Sequence, residues 1–128
     1  MEAPQSKFCY DKQSVAPEHV FIDRRYVFAM VHAKPVTDGH VLICPTRPNV
    51  YSMAQLTELE VLEVFVCARE VCRVFDEAYQ VKNFMILISE GDDQYPTFCI
   101  QVLPRERISR ELPENAHSIG SNFRSANK

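Results

Sequence analysis

The sequence has no apolar run approaching membrane-spanning length, no excess of basic residues, no internal repeat and no cysteine spacing of a zinc site. The first absence excludes a transmembrane helix, which needs about 20 consecutive apolar residues. The second, with a net charge of −3, argues against a general nucleic-acid binder. The third leaves one domain as the simplest organisation of 128 residues. We expect that domain to span residues 1–114, with 115–128 as a loosely ordered tail. The N-terminal "MEAPQSKF" carries no apolar signal region, so no membrane partner is expected. The expected location is intracellular and cytoplasmic, with nucleus or organelle left open.

Five cysteines is an odd number: Cys9, Cys44, Cys67, Cys72 and Cys99. Cys67 and Cys72 stand five apart on an expected helix, about 140° around it, so they share neither a ligand nor a disulfide there. The set reads as thiols in a reducing compartment, with Cys44 and Cys67 as small apolar residues. No metal site and no cofactor are expected. Apolar and charged fractions of 46% and 24% are those of a globular chain, which excludes disordered, collagen-like and coiled-coil readings.

Along the chain, "SKFCYD" suggests a short strand, and "HVFIDR" followed by "YVFAMV" suggests a hairpin. "KPVTDGH" is a turn, and "VLICP" a continuous apolar strand ended by prolines. Thr57 and Glu60 have capping-box spacing, and no Gly or Pro occurs from Glu58 to Ala78. This predicts one long helix. Its apolar positions Val61, Val64, Ala68, Val71, Cys72, Phe75 and Ala78 cover about half the circumference, and Leu62 and Val66 interrupt the charged side. The surplus predicts a partner on the 58–78 helix, a second copy in the first instance. "NFMILISE" reads as a buried strand, and the loop "GDDQYP" leads to "YPTFCIQVLPRE". In that last strand Phe98, Ile100 and Val102 face the core, while Thr97, Cys99 and Gln101 face the other way. The fold class is α+β: a mainly antiparallel sheet of about five strands, one long helix and a short helix before it.

With these elements placed, the segment "FAMVHAKPVTDGHVLICPTRP" and the ending "VLPR" resemble the histidine-triad superfamily. The likeness is to its fragile-histidine-triad branch of dinucleoside polyphosphate hydrolases. It implies that three alternating site positions on the last strand are Thr97, Cys99 and Gln101, where the family has histidines. It further implies His40 as the family's supporting histidine, and His32, Phe28 and the loop residue Gln94 beside a nucleotide. In the family the central histidine attacks the α-phosphorus. Imidazole suits that step because its neutral form is abundant near pH 7. Cys99 in its place is a thiol, mostly protonated there unless a cation adjoins it. Glutamine at the third position has a parallel in the related hexose-1-phosphate uridylyltransferases, and Thr97 retains a hydroxyl.

The loop carries Glu90, Asp92 and Asp93, each opposing a phosphate charge by roughly 2–3 kcal/mol at about 5–8 Å and an effective dielectric near 20. The expectation is a catalytically degenerate protein that keeps a nucleotide-binding or scaffold role. Its ligand would be AMP-like or a dinucleoside polyphosphate, and it would assemble as a homodimer. The alternative is an active nucleotide hydrolase or nucleotidyl transferase acting through Cys99 or a displaced histidine. A pure interaction module and an RNA reader using "RERISR" stand behind these; acidity and the lack of an aromatic platform weigh against the RNA reader.

Overall fold

A computed structural model describes residues 8–10, 13–32, 39–92 and 97–105. Residues 33–38, which hold most of the expected turn "KPVTDGH", the loop residues 93–96 with Gln94 among them, and the C-terminal tail lie outside the described residues.

Five strands form one antiparallel sheet: β3 (Val20–Asp23), β4 (Val27–Val31), β5 (Val41–Pro45), β7 (Cys99–Pro104) and β6 (Phe84–Ser89), in that order across the sheet. A separate two-stranded ribbon, β1 (Cys9–Tyr10) with β2 (Gln13–Ser14), precedes them. The short β1 is anticipated from "SKFCYD"; β2, two exposed polar residues, carries no apolar signal in the sequence.

Side-chain alternation explains why β4 and β5 are apolar throughout. Val27, Ala29, Val41, Ile43, Ile100 and Val102 point to one face and pack under the long helix. Phe28, Met30, Leu42, Cys44 and Cys99 point to the other and join a second cluster with Phe8 and Val15 of the ribbon segment. A strand covered on both sides has no polar face to show. By its sequence the last strand is half-buried, but the structure covers Cys99 on the second face as well. Cys99 is 1% exposed, because the ribbon supplies the second cover.

The helix α1 (Glu58–Tyr79) starts where the capping box requires. Thr57 Oγ1 accepts the Glu60 N–H at 3.1 Å, and the Thr57 N–H donates to Glu60 Oε1 at 2.8 Å. A short 3-10 helix, Met53–Gln55, precedes it. Gln80, in left-handed conformation, donates its N–H to Asp76 at 3.0 Å and closes the last turn. The buried stripe is Val64, Cys67, Ala68, Val71, Val74, Phe75 and Tyr79. It is rotated from the projected one: Val61 is exposed, whereas Cys67 and Val74 are buried. Packing across β4, β5 and β7 sets that rotation.

The second correction concerns β6. "NFMILISE" reads as a buried strand, yet Met85, Ile86, Leu87 and Ile88 are 42–49% exposed. The strand lies at the sheet edge, bonded on one side to β7, and α1 packs over its neighbours. Composition alone does not separate an exposed apolar edge strand from a central one.

Candidate functional site

The candidate site is the sheet face opposite α1. Strand alternation puts His32 at the end of β4, His40 beside β5, and Cys99 and Gln101 on β7 on that one face, with Ser89 of β6 opposite Cys99. The His32 N–H donates to the His40 carbonyl at 2.9 Å, so the two residues are a bonded cross-strand pair. Their rings stack, with centroids 4.5 Å apart and planes 26° from parallel. His40 is 2% exposed, and its Nε2 lies 2.6 Å from Gln101 Oε1. Gln101 Nε2 in turn donates to Ser89 Oγ at 2.7 Å. A carboxamide oxygen only accepts, so this chain holds His40 as the tautomer protonated on Nε2. Burial, and then the neighbouring His40, push the His32 imidazole below its ordinary range.

Along the same face, the polar chain gives way to an apolar floor. Cys99 and the fully buried Phe28 pack with Phe8, Val15, Met30, Leu42 and Cys44. The Phe8 and Phe28 rings meet at 5.0 Å. Phe28 therefore touches another ring of the chain at the place where the resemblance implies a nucleotide. Thr97 stands apart from this cluster. It lines a cavity of about 180 Å³ with Cys9, Pro45, Arg47, Pro48, Asn49 and Val50. Ligand pockets for drug-sized molecules run from about 300 Å³ upward.

Of the site residues expected from the sequence, His32, His40 and Gln101 are thus brought together. Cys99 lies on the same strand beneath an apolar cover, Thr97 faces a different cavity, and Gln94 is outside the described residues. Ser89 was not anticipated; its pairing opposite Cys99 and its reach to Gln101 depend on a register that sequence does not fix. The loop carboxylate of Glu90 has a local task, accepting the Met53 N–H at 2.8 Å. Arg47 is likewise committed, with Nη2 at 2.9 Å and Nε at 3.2 Å from the Glu60 carboxylate and Nη2 also on the Gln55 carbonyl at 2.8 Å. Among the described residues, no group of three or more His, Cys, Asp or Glu side chains gathers as metal ligands would. No helix there is long and apolar enough to cross a membrane.

Residues 13–109 match the HIT domain. The nitrilase and fragile histidine triad fusion protein NitFhit of Caenorhabditis elegans is 33% identical over 95 residues, covering 72% of this chain and 21% of that protein. Its crystal structure superposes with a TM-score of 0.76 over 92% of this chain and 29% of that one, at 27% identity. The bis(5'-adenosyl)-triphosphatase of Saccharomyces cerevisiae is 28% identical over 107 residues, 81% of this chain and 52% of that protein. The Plasmodium falciparum diadenosine triphosphate hydrolase, solved with cyclomarin A, shares the fold at a TM-score of 0.71 and 20% identity, over 94% and 79% of the two chains. The chain spans about a fifth and about half of the lengths of the two curated relatives. On the domain match and these relatives, the chain belongs to the HIT family, in its fragile-histidine-triad branch.

Proposed function

We propose that this chain is a catalytically degenerate HIT protein that binds a nucleotide, AMP-like or a dinucleoside polyphosphate, without forming a covalent intermediate. The burial of Cys99 is the observation that supports this most. A nucleophile must come to about 3–3.5 Å from phosphorus, in line with the leaving group. At 1% exposure, Cys99 is packed among Phe8, Val15, Phe28, Met30, Leu42 and Cys44, and none of these carries a charge. A polyanion reaching the thiol would displace aromatic rings and gain no cation in return. His32 and Gln101 remain partly exposed and offer ring and amide groups to a sugar hydroxyl or a phosphate oxygen.

Calorimetric titration with diadenosine triphosphate, with and without Mg²⁺, tests this reading. Saturating heat that stops after each injection is the expected result. Heat that continues, and that disappears in Cys99→Ala, would establish thiol catalysis and overturn the proposal. An absence of heat would remove the nucleotide and leave a scaffold role.

A second reading has its own support. Leu59, Leu62 and Phe65 on α1 are 46–60% exposed, and β6 exposes four consecutive apolar side chains. We infer that these form an assembly surface, with a second copy of the chain as partner through the 58–78 helix and the β6 edge. Nucleotide binding and assembly are compatible, because α1 lies on the sheet face opposite the candidate site.

A further inference from the structure

β5 and β7 run antiparallel with Val41, Leu42 and Ile43 opposite Val102, Gln101 and Ile100. One step further in that register puts Cys44 opposite Cys99. Both side chains are buried, and both belong to the apolar cluster on the face away from α1.

The hydrogen-bond phase identifies the type of pair. On the other side of β5, the His32 N–H donates to the His40 carbonyl and the Thr46 N–H to the Tyr26 carbonyl. In the β4–β5 register, the even-numbered residues from His40 to Thr46 therefore turn their backbone groups to β4. The odd-numbered ones face β7, which makes Val41–Val102 and Ile43–Ile100 the bonded pairs. Leu42–Gln101 and Cys44–Cys99 are then non-bonded pairs, in which Cα atoms approach to about 4.5 Å and side chains are closest. Disulfides span Cα separations of about 4.4–6.8 Å. The ladder also ends here. Pro45 has no N–H, and the Phe98 N–H turns to the Val50 carbonyl at 2.8 Å. The backbone at this pair is therefore less constrained than one ladder step inward.

We propose that Cys44 and Cys99 are a cross-strand dithiol, a modification site oxidised to a disulfide by low-molecular-weight disulfides such as glutathione disulfide. One cysteine, as thiolate, attacks a sulfur of the oxidant and expels one small thiol, leaving a mixed disulfide. The second cysteine attacks the protein sulfur of that mixed disulfide, forms the Cys44–Cys99 bond and expels the other small thiol. Two electrons pass from the protein to the oxidant, and the two cysteine protons end on the two released thiols. Access runs through the β1–β2 ribbon, which is hydrogen-bonded as its own sheet and covers the pair with Phe8 and Val15. A transient opening of this two-strand ribbon is enough for a single exchange reaction, whereas phosphoryl transfer needs the nucleotide held in line in the closed, packed state. Cys67, by contrast, lies on α1 beneath the opposite face, with its thiol pushed up to about 12 by burial. The proposal does not depend on nucleotide binding.

The test uses the full chain carrying Cys9→Ser, which removes the exposed thiol and leaves four of the five. The reduced protein is unfolded in urea and refolded in a buffer of reduced and oxidised glutathione, so that access to a buried pair is not limiting. The expected product has two titratable thiols instead of four and a mass lower by two hydrogens. Its digest contains one cross-linked species joining the peptides of Cys44 and Cys99. The same protein with Cys44→Ala added is expected to keep all three of its thiols. A folded product that retains four thiols, or whose disulfide joins any other pair, overturns the proposal. Mapping of the Cys9→Ser protein decides the question whether or not the Cys44→Ala protein folds.

Discussion

Gln101 on β7 accepts the Nε2 proton of His40, the residue just before β5, at 2.6 Å, and its amide group donates onward to Ser89 on β6 at 2.7 Å. Three strands are thereby tied by side chains as well as by the ladder. Gln101→Leu removes the acceptor from a ring that is 2% exposed. The expected loss is about 1–3 kcal/mol, the cost of a buried donor left without a partner. Ser89→Ala removes only a neutral bond between groups nearer solvent and is expected to cost about 0.5–1.5 kcal/mol. Urea unfolding of the two variants measures both. A Gln101→Leu protein at least as stable as the parent would refute this account of the Gln101 bridge.

His32 supplies a pH dependence with a definite sign. Its folded pKa is depressed below the ordinary 6.5 by burial and then by the neighbouring His40. As pH falls below the unfolded value, the unfolded chain takes up a proton that the folded site resists. Stability is therefore full above about 6.5 and declines as pH falls toward the folded value. His32→Asn, which keeps a polar group without the titration, is expected to flatten that decline. Unfolding midpoints on either side of 6.5 for both proteins decide this; equal slopes would remove His32 as the cause.

Much of this architecture is legible in the sequence because local signals agree with the fold. Thr57 and Glu60 announce the start of α1, prolines end β5, and strand alternation assigns Phe98, Ile100 and Val102 to the helix face. The failures share one physical origin, which is that burial is decided by what covers a strand. Cys99 looks half-exposed until Phe8 and Val15, about ninety residues earlier, are laid over it. β6 looks central because this apolar edge strand has the composition of a covered one. At the site, resemblance supplies the positions of His32, His40 and Gln101, but their mutual contacts depend on register and rotamer. Ser89 enters only through those.

Arg47 and Glu60 couple the end of the β5 loop to the start of α1. Burial raises the Glu60 pKa, but bonds from Arg47 and from the Thr57 backbone outweigh it, so the carboxyl titrates below its usual range. Its contribution is therefore present above the unfolded value of about 4.5 and is lost as pH falls through the folded one. Arg47→Ala takes both guanidinium bonds from a carboxylate that is 2% exposed and leaves the Thr57 backbone N–H donating to it. Arg47 itself is about half exposed, so the discounted expectation is a loss of about 1–2 kcal/mol near neutral pH. That difference should shrink once the solution is acid enough to protonate Glu60. A pH series of denaturation midpoints checks the convergence; a pH-independent difference would instead indicate lost packing of the arginine stem.

The β6 edge carries the last prediction. Ile86 and Ile88 lie opposite Val102 and Ile100, on the helix face of the sheet, and yet are 48% and 49% exposed. A second copy related by a two-fold axis would continue the sheet through this edge, and Leu62 and Phe65 of α1 are exposed as well. In a two-fold interface each isoleucine is buried twice. Because about half of each side chain is already covered, its removal then costs about 1.5–3 kcal/mol, which is roughly ten- to a hundredfold in dissociation constant. Ile86→Lys also introduces two like charges facing each other. Sedimentation of the parent is expected to show a dimer at micromolar concentration, and that of Ile86→Lys a monomer with the same circular dichroism. A parent chain that is monomeric at the same concentration would eliminate self-assembly and leave the exposed edge to a different protein.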